Sequence, residues 1–157
     1  MTQMITNKTN ITLINGGQTG VDRAILDFAV KYDIPYTGYI CDAEDMTAKE
    51  LIKKYPNLID IGLTNIERTK KNIEMADWLV SINDPKTVNT DSRTFAKKWV
   101  MFDTHSPTVL SEIFKWYKQL DDITKLCIGG PRESWERGIY EETTNILEEV
   151  FYVLTQD

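Results

Sequence analysis

Ile11-Thr12-Leu13-Ile14-Asn15-Gly16-Gly17-Gln18-Thr19-Gly20-Val21-Asp22-Arg23-Ala24 reads as a buried strand, a glycine turn and the start of a helix. The apolar run Ile11–Ile14 stops at Asn15-Gly16-Gly17, residues that favour a turn. Beyond the turn, Val21, Ala24, Ile25, Phe28, Ala29 and Tyr32 recur at helical spacing. Leu26 and Val30 widen that face, so the helix should be well covered. A strand feeding directly into such a helix is the first half of a βαβ unit.

The alternation continues outward from this stretch. Pro35–Ile40 reads as a shorter strand and Met46–Tyr55 as a helix ended by Pro56. Leu58–Leu63 fits a short extra strand, Ile66–Ala76 a helix and Trp78–Ile82 a strand. Arg93–Lys98 is read as helical, Trp99–Phe102 as a strand and Thr108–Leu120 as a helix. Leu126–Ile128 is the last buried strand, and Ile139–Leu154 closes the chain as a helix. This order predicts an α/β, Rossmann-like three-layer sandwich with a mainly parallel central sheet. In such sheets ligands sit beyond the carboxyl ends of the strands, near a switch in strand order.

Bulk properties narrow the function classes. The 157 residues, 41% of them hydrophobic and 27% charged, fit one domain over 1–157. The polar segment 1–9 is expected to be flexible. Net charge is −6, which argues against nucleic acid held by a broad positive surface. It leaves room for an anionic small ligand, because a few local donors hold one phosphate. No stretch approaches the length of a membrane span or a signal-peptide core, so the expectation is a soluble, cytoplasmic protein. Cys41 and Cys127 are far apart and there is one histidine, His105. No metal set is expected from these residues, and the thiols are expected to be reduced.

Two glycine loops carry the candidate chemistry. Gly16, Gly17, Gln18, Thr19 and Gly20 lie between a strand and a helix. There, free amides and the helix dipole suit an anion. The spacing is neither that of a Walker A loop nor that of the dinucleotide fingerprint. A tight βα turn that only packs the helix against the sheet is the competing reading. Asp22 and Arg23 follow, with roles in the site or simply in helix electrostatics. Gly129, Gly130, Pro131, Arg132, Glu133 and Ser134 repeat the arrangement before the last helix. Arg132 offers paired donors to phosphate, and Glu133 could orient it, accept from a ribose hydroxyl or act as a base. A surface turn with a local ion pair is the alternative there.

The five arginines, Arg23, Arg68, Arg93, Arg132 and Arg137, cluster in or near such loops, whereas the lysines are scattered over helix surfaces. This suggests a small positive pocket in an acidic protein. His105 is read as an ordinary loop residue, with a proton shuttle as the sharper alternative. For Trp135, stacking on a base and plain packing both fit. Asn72 and Asn83 are candidate pocket residues, with capping and turn roles competing.

Gly16-Gly17-Gln18-Thr19-Gly20-Val21-Asp22-Arg23-Ala24, Arg68-Thr69 with Asn72 and Asp77, and Gly129-Gly130-Pro131-Arg132-Glu133-Ser134 with Gly138-Ile139-Tyr140 resemble one family. It is the molybdenum carrier family, the circularly permuted YpsA-like branch of the SLOG superfamily. The resemblance runs in order over nearly the whole chain. It implies a Rossmann-like fold, homo-oligomers (a dimer or tetramer) and a phosphate-bearing ligand, either a nucleotide derivative or molybdenum cofactor. Two stretches depart from the family pattern. Gly38–Asp45 is acidic where the family is basic. The family's Gly-Gly-Thr loop is replaced by residues 83–92, with Thr90, Ser92 and Arg93 as substitute donors and Asp91 as a repelling charge.

Two functions follow as expectations. One is a non-catalytic holder of a phosphate-bearing, nucleotide-like molecule: a carrier, sensor or sequestering protein. The other is an N-glycosidic hydrolase acting on nucleoside monophosphates or related nucleotide derivatives, with Glu133 or Asp22 as the catalytic carboxylate and Arg132 on the phosphate. An interaction module with a vestigial pocket is a third reading.

Overall fold

The computed structural model of the protein describes residues 10–83 and 90–156. The expected flexibility of 1–9 therefore lies outside the described residues. Six strands form the sheet: β1 (Asn10–Ile14), β2 (Tyr36–Tyr39), β3 (Leu58–Ile59), β4 (Trp78–Ile82), β5 (Trp99–Phe102) and β6 (Ile123–Gly129). Their order is β3-β2-β1-β6-β4-β5, and every pairing is parallel. The helices are α1 (Val21–Lys31), α2 (Ala48–Lys54), α3 (Asn65–Met75), α4 (Val109–Tyr117) and α5 (Ile139–Leu154). A 3-10 turn spans Thr90–Phe95. Among the described residues, no helix is long and apolar enough to cross a membrane.

Period-two alternation in the strands assigns the layers. Ile11, Leu13, Val80, Leu126 and Ile128 face α1, α4 and α5, where the main core forms around Ile25, Trp116 and Phe151. Ile14, Leu79 and Cys127 face the other way, onto Ile73 and Ala76 at the end of α3. At the β3 edge, α2 buries Leu51 and Tyr55 against Leu26, Ile40 and Leu58. The result is the expected Rossmann-like three-layer sandwich.

Element ends follow local chemistry. Thr47 and Thr64 each close a capping box, with Glu50 and Glu67 respectively. These boxes fix the starts of α2 and α3. Strand β3 has only two residues, shorter than its sequence suggests, because Asp60 begins a turn toward Gly62. Arg93–Lys98 makes no α-helix; the 3-10 turn covers only its first part. Strand β6 is longer than the apolar run Leu126–Ile128. It lies between β1 and β4, so both backbone edges are paired, and Thr124 is buried despite its hydroxyl. That hydroxyl donates to the Asp121 carbonyl at 2.8 Å.

Candidate functional site

Strands β2 and β3 run outward from one side of β1, while β4 and β5 lie beyond β6 on the other side. The loops after β1, β4 and β6 therefore meet where the direction of winding reverses, the place where open α/β sheets bind ligands. There a cavity of about 430 Å³ opens between the strand ends and α3. Asn15, Ser81, Cys127 and Gly129 form its floor, Arg68, Thr69 and Asn72 its wall, and Arg132 and Trp135 its rim. A smaller cavity of about 130 Å³ lies on the α1 face. Its lining is almost wholly aliphatic and aromatic, so it offers a ligand no polar anchor.

The two glycine loops converge as expected, yet the first is not an empty cradle. Its amides are taken up by the protein's own side chains. Gly17 N–H donates to Asn15 Oδ1 at 2.9 Å, Gln18 N–H to Asp22 Oδ2 at 3.2 Å, and Thr19 N–H to Gln18 Oε1 at 3.0 Å. Val21 N–H donates to the Pro131 carbonyl at 3.3 Å. The anion inside the loop is thus Asp22, which is 7% exposed. Burial pushes its carboxyl above the usual range, and Arg68 and the amides of Gln18 and Gly16 pull it back.

Arg68 reaches over this loop from α3. Its Nη1 lies 3.9 Å from Asp22 Oδ2, and its side chain is 12% exposed. Its Nε is buried and has no hydrogen-bond partner among the described residues. Gly16 makes the approach possible, because a Cβ there would fall on the guanidinium. Gly20 does the same for the two loops. It has φ +78°, and a Cβ would collide with the Pro131 carbonyl. Cys127 lies on the same floor, and burial with the neighbouring Asp22 charge pushes its thiol up to about 12. It is therefore no thiolate nucleophile at neutral pH.

The second loop is pinned from outside the cavity. Glu133 accepts from Gly138 N–H at 2.6 Å and from Tyr140 N–H at 3.1 Å, capping the start of α5. Ser134 donates its hydroxyl to Glu44 Oε1 at 2.6 Å, and Thr19 donates to the same carboxylate. These bonds from Ser134 and Thr19 hold the Glu44 carboxyl below its usual range. Arg132 stays at the rim, its guanidinium 4.3 Å from the centre of the Trp135 ring.

The sequence-derived candidates therefore divide. Gly16, Gln18, Asp22, Arg68, Asn72, Ser92, Gly129, Gly130 and Arg132 line the cavity. Gly17, Thr19, Gly20, Pro131, Glu133 and Ser134 shape the loops without lining it. Arg23 turns away from the ligand space. Its guanidinium forms a two-pronged pair with Asp45 at 2.8 and 2.9 Å and donates to the Gly17 carbonyl. The acidic stretch Gly38–Asp45 thus serves the architecture, since Asp45 neutralises Arg23 and Glu44 ties the two loops together. Asn72 engages both Tyr39 backbone groups, at 2.7 and 2.9 Å, which leaves its amide committed to holding β2. Asn83 and Arg93 stand elsewhere: Asn83 bonds Thr104 and Glu136, and Arg93 stacks on Trp99. The replaced Gly-Gly-Thr loop falls largely outside the described residues; Thr90 begins the 3-10 turn, and its side chain is not among those described.

Cavity residues that the sequence reading did not single out as site residues include Asn15, Ser81 and Cys127. Ser81 and Cys127 carried a signal. Each alternates with apolar residues that face the main core, so each must point to the opposite layer.

The family model for the circularly permutated YpsA SLOG family matches residues 13–151. A solved structure, described as "Putative molybdenum carrier protein" from Syntrophus aciditrophicus SB, shares 31% sequence identity with this chain. The match covers 89% of this chain and 93% of that one, with a TM-score of 0.74. No curated protein matches. With the family motifs in order along the chain and the fold shared with that structure, the protein belongs to the circularly permutated YpsA SLOG family.

Proposed function

We propose that the cavity between α3 and the strand ends binds a phosphate-bearing, nucleotide-like small molecule. In this reading the protein is a carrier, sensor or sequestering protein. One observation carries it: Arg68 places a nearly buried guanidinium in the cavity with its Nε unpaired among the described residues. A ligand oxygen set against this guanidinium in the cavity gains a charge-assisted hydrogen bond, about 1.5–3 kcal/mol. Arg132 and the hydroxyls of Ser81 and Ser92 supply further donors, and Trp135 supplies a flat surface for a ring system. The name of the solved relative suits a molybdenum-bearing pterin phosphate as cargo, and this donor set is compatible with the phosphate end of such a molecule.

The same reading takes the protein as one cytoplasmic domain that assembles as a dimer or tetramer, which light scattering of the purified chain checks. The central test is mass spectrometry of small molecules released from the protein, joined to melting curves with nucleotides and with molybdopterin. A bound phosphate compound, or a clear rise in Tm, is expected. Unchanged melting across the whole panel overturns the proposal.

The hydrolase reading rests on Asp22. Its carboxyl lines the cavity, where it would stabilise an oxocarbenium-like transition state and activate water. Glu133 suits that role less, since both its oxygens cap α5 and it does not line the cavity. Release of free base from nucleoside monophosphates, abolished by Asp22→Asn, is the outcome this reading requires; no release rejects it.

A further inference from the structure

A second group of chemically capable side chains lies at the same edge of the sheet, outside the cavity lining. His105 sits in the loop after β5, Glu136 in the loop before α5, and Glu142 in the first turn of α5. One ligand atom from each falls within 4.8 Å of the others. His105 Nε2 is 3.9 Å from Glu136 Oε2 and 3.7 Å from Glu142 Oε2. We propose that His105, Glu136 and Glu142 form a binding site for a divalent transition-metal ion of the zinc class. This does not depend on the function proposed for the cavity.

The geometry fits that chemistry. Zinc binds imidazole nitrogen and carboxylate oxygen at about 2.0–2.2 Å, which sets tetrahedral ligand atoms roughly 3.4 Å apart. The two separations from His105 exceed this by a few tenths of an ångström, and all three ligand atoms lie within 4.8 Å of one another, distances that side-chain rotation can close. Three ligands with a fourth position left to water is the pattern of open zinc sites. His105 is mostly exposed, so solvent reaches it.

Outer contacts already orient the carboxylates. Asn83 Nδ2 donates to Glu136 Oε2 at 2.5 Å, and Thr104 Oγ1 donates to Glu142 Oε2 at 2.7 Å. The two donors are themselves joined, since Asn83 Oδ1 accepts from Thr104 N–H at 2.7 Å and Asn83 Nδ2 also donates to Thr104 Oγ1. Each carboxylate oxygen keeps a second lone pair for an ion, and such outer-shell donors commonly tune metal affinity about 10–100-fold. Among the described residues, no lysine or arginine is within ion-pair distance of either glutamate. Two adjacent carboxylates with no lysine or arginine against them among the described residues favour a dication between them.

The test uses the full chain after chelator treatment, titrated calorimetrically with Zn²⁺ and followed with Co²⁺ by absorption. One equivalent is expected to bind, with Zn²⁺ raising the Tm and millimolar Mg²⁺ failing to compete. His105→Ala and Glu142→Gln should each weaken binding at least about tenfold while leaving the metal-free melting curve near wild type. Absence of saturable Zn²⁺ binding overturns the proposal. So does unchanged affinity and an unchanged Co²⁺ spectrum in His105→Ala, and a sulfur-to-cobalt band would place the ion at Cys41 instead.

Discussion

The loops Gly16–Gly20 and Gly129–Ser134 have similar sequences and similar places in the fold, each between a strand and a helix, yet they do different work. The first closes on itself. Its amides grip Asn15, Gln18 and Asp22, so it forms a rigid floor with a carboxylate inside. The second is held from behind by Glu133 and Glu44, and this leaves Arg132 and Trp135 at the cavity rim. The lesson is that glycine in a βα turn marks close approach, and what approaches decides the role. At Gly16 it is an arginine side chain; at Gly20 it is the other loop.

The sharpest way to break this comparison is Gly20→Ala. A side chain there meets the Pro131 carbonyl, and φ +78° is strained for alanine. We expect a loss on the order of 3 kcal/mol, read as a fall of roughly 6–12 °C in Tm. A near-wild-type melting curve would mean that the loops do not pack as described.

Asp22→Asn separates floor from rim. An amide replaces one acceptor oxygen with a donor facing backbone N–H groups and leaves Arg68 without its charge partner. A loss of about 1–3 kcal/mol is expected in urea unfolding. The pH dependence has a definite sign. The folded-state value lies above the ordinary 3.8, so the folded protein holds this proton more tightly than the unfolded chain. The stability it contributes is full below that ordinary value and is lost as pH rises through the raised one. Asp22→Asn should flatten that slope, and an unchanged slope would assign it to other groups.

Arg68→Ala addresses ligand affinity, measured with whichever phosphate compound raises the Tm of the wild type. Losing a charged hydrogen bond to phosphate should weaken binding about 10–100-fold. Arg23→Ala, by contrast, should lower stability through the lost Asp45 pair while changing affinity less than about threefold, because that guanidinium is committed elsewhere. Equal affinity losses in the two variants would contradict the division drawn here.

The smallest effect is expected for Arg132→Ala. Its guanidinium is partly solvated and stacked on Trp135, so a loss of roughly three- to tenfold in affinity should come with little change in melting. A larger loss than in Arg68→Ala would move the centre of binding from the floor to the rim.

Much of the fold was legible along the chain. Strands β1, β4 and β5 and helices α1 and α5 announce themselves by apolar period and flanking turns, and they form nearly where the sequence places them. The short β3 and the long β6 were harder. Pairing with β1 recruits Thr124 and Lys125 into β6, although neither is apolar, because a strand draws on its neighbour's backbone groups as well as on its own side chains.

For the site, the order of residues was enough to place two glycine loops after strands and to gather arginines near them. Those are local properties, set by backbone permissiveness and helix periodicity. Which groups face the ligand space was settled by packing. Arg23 and Glu133 are close to the glycines in sequence, yet Asp45 and the start of α5 claim them. Arg68 is remote in sequence, yet it lies over Gly16. Hydrogen-bonding capacity is finite, and the partners that exhaust it arrive from other elements, so which side chains face the cavity was decided only by packing.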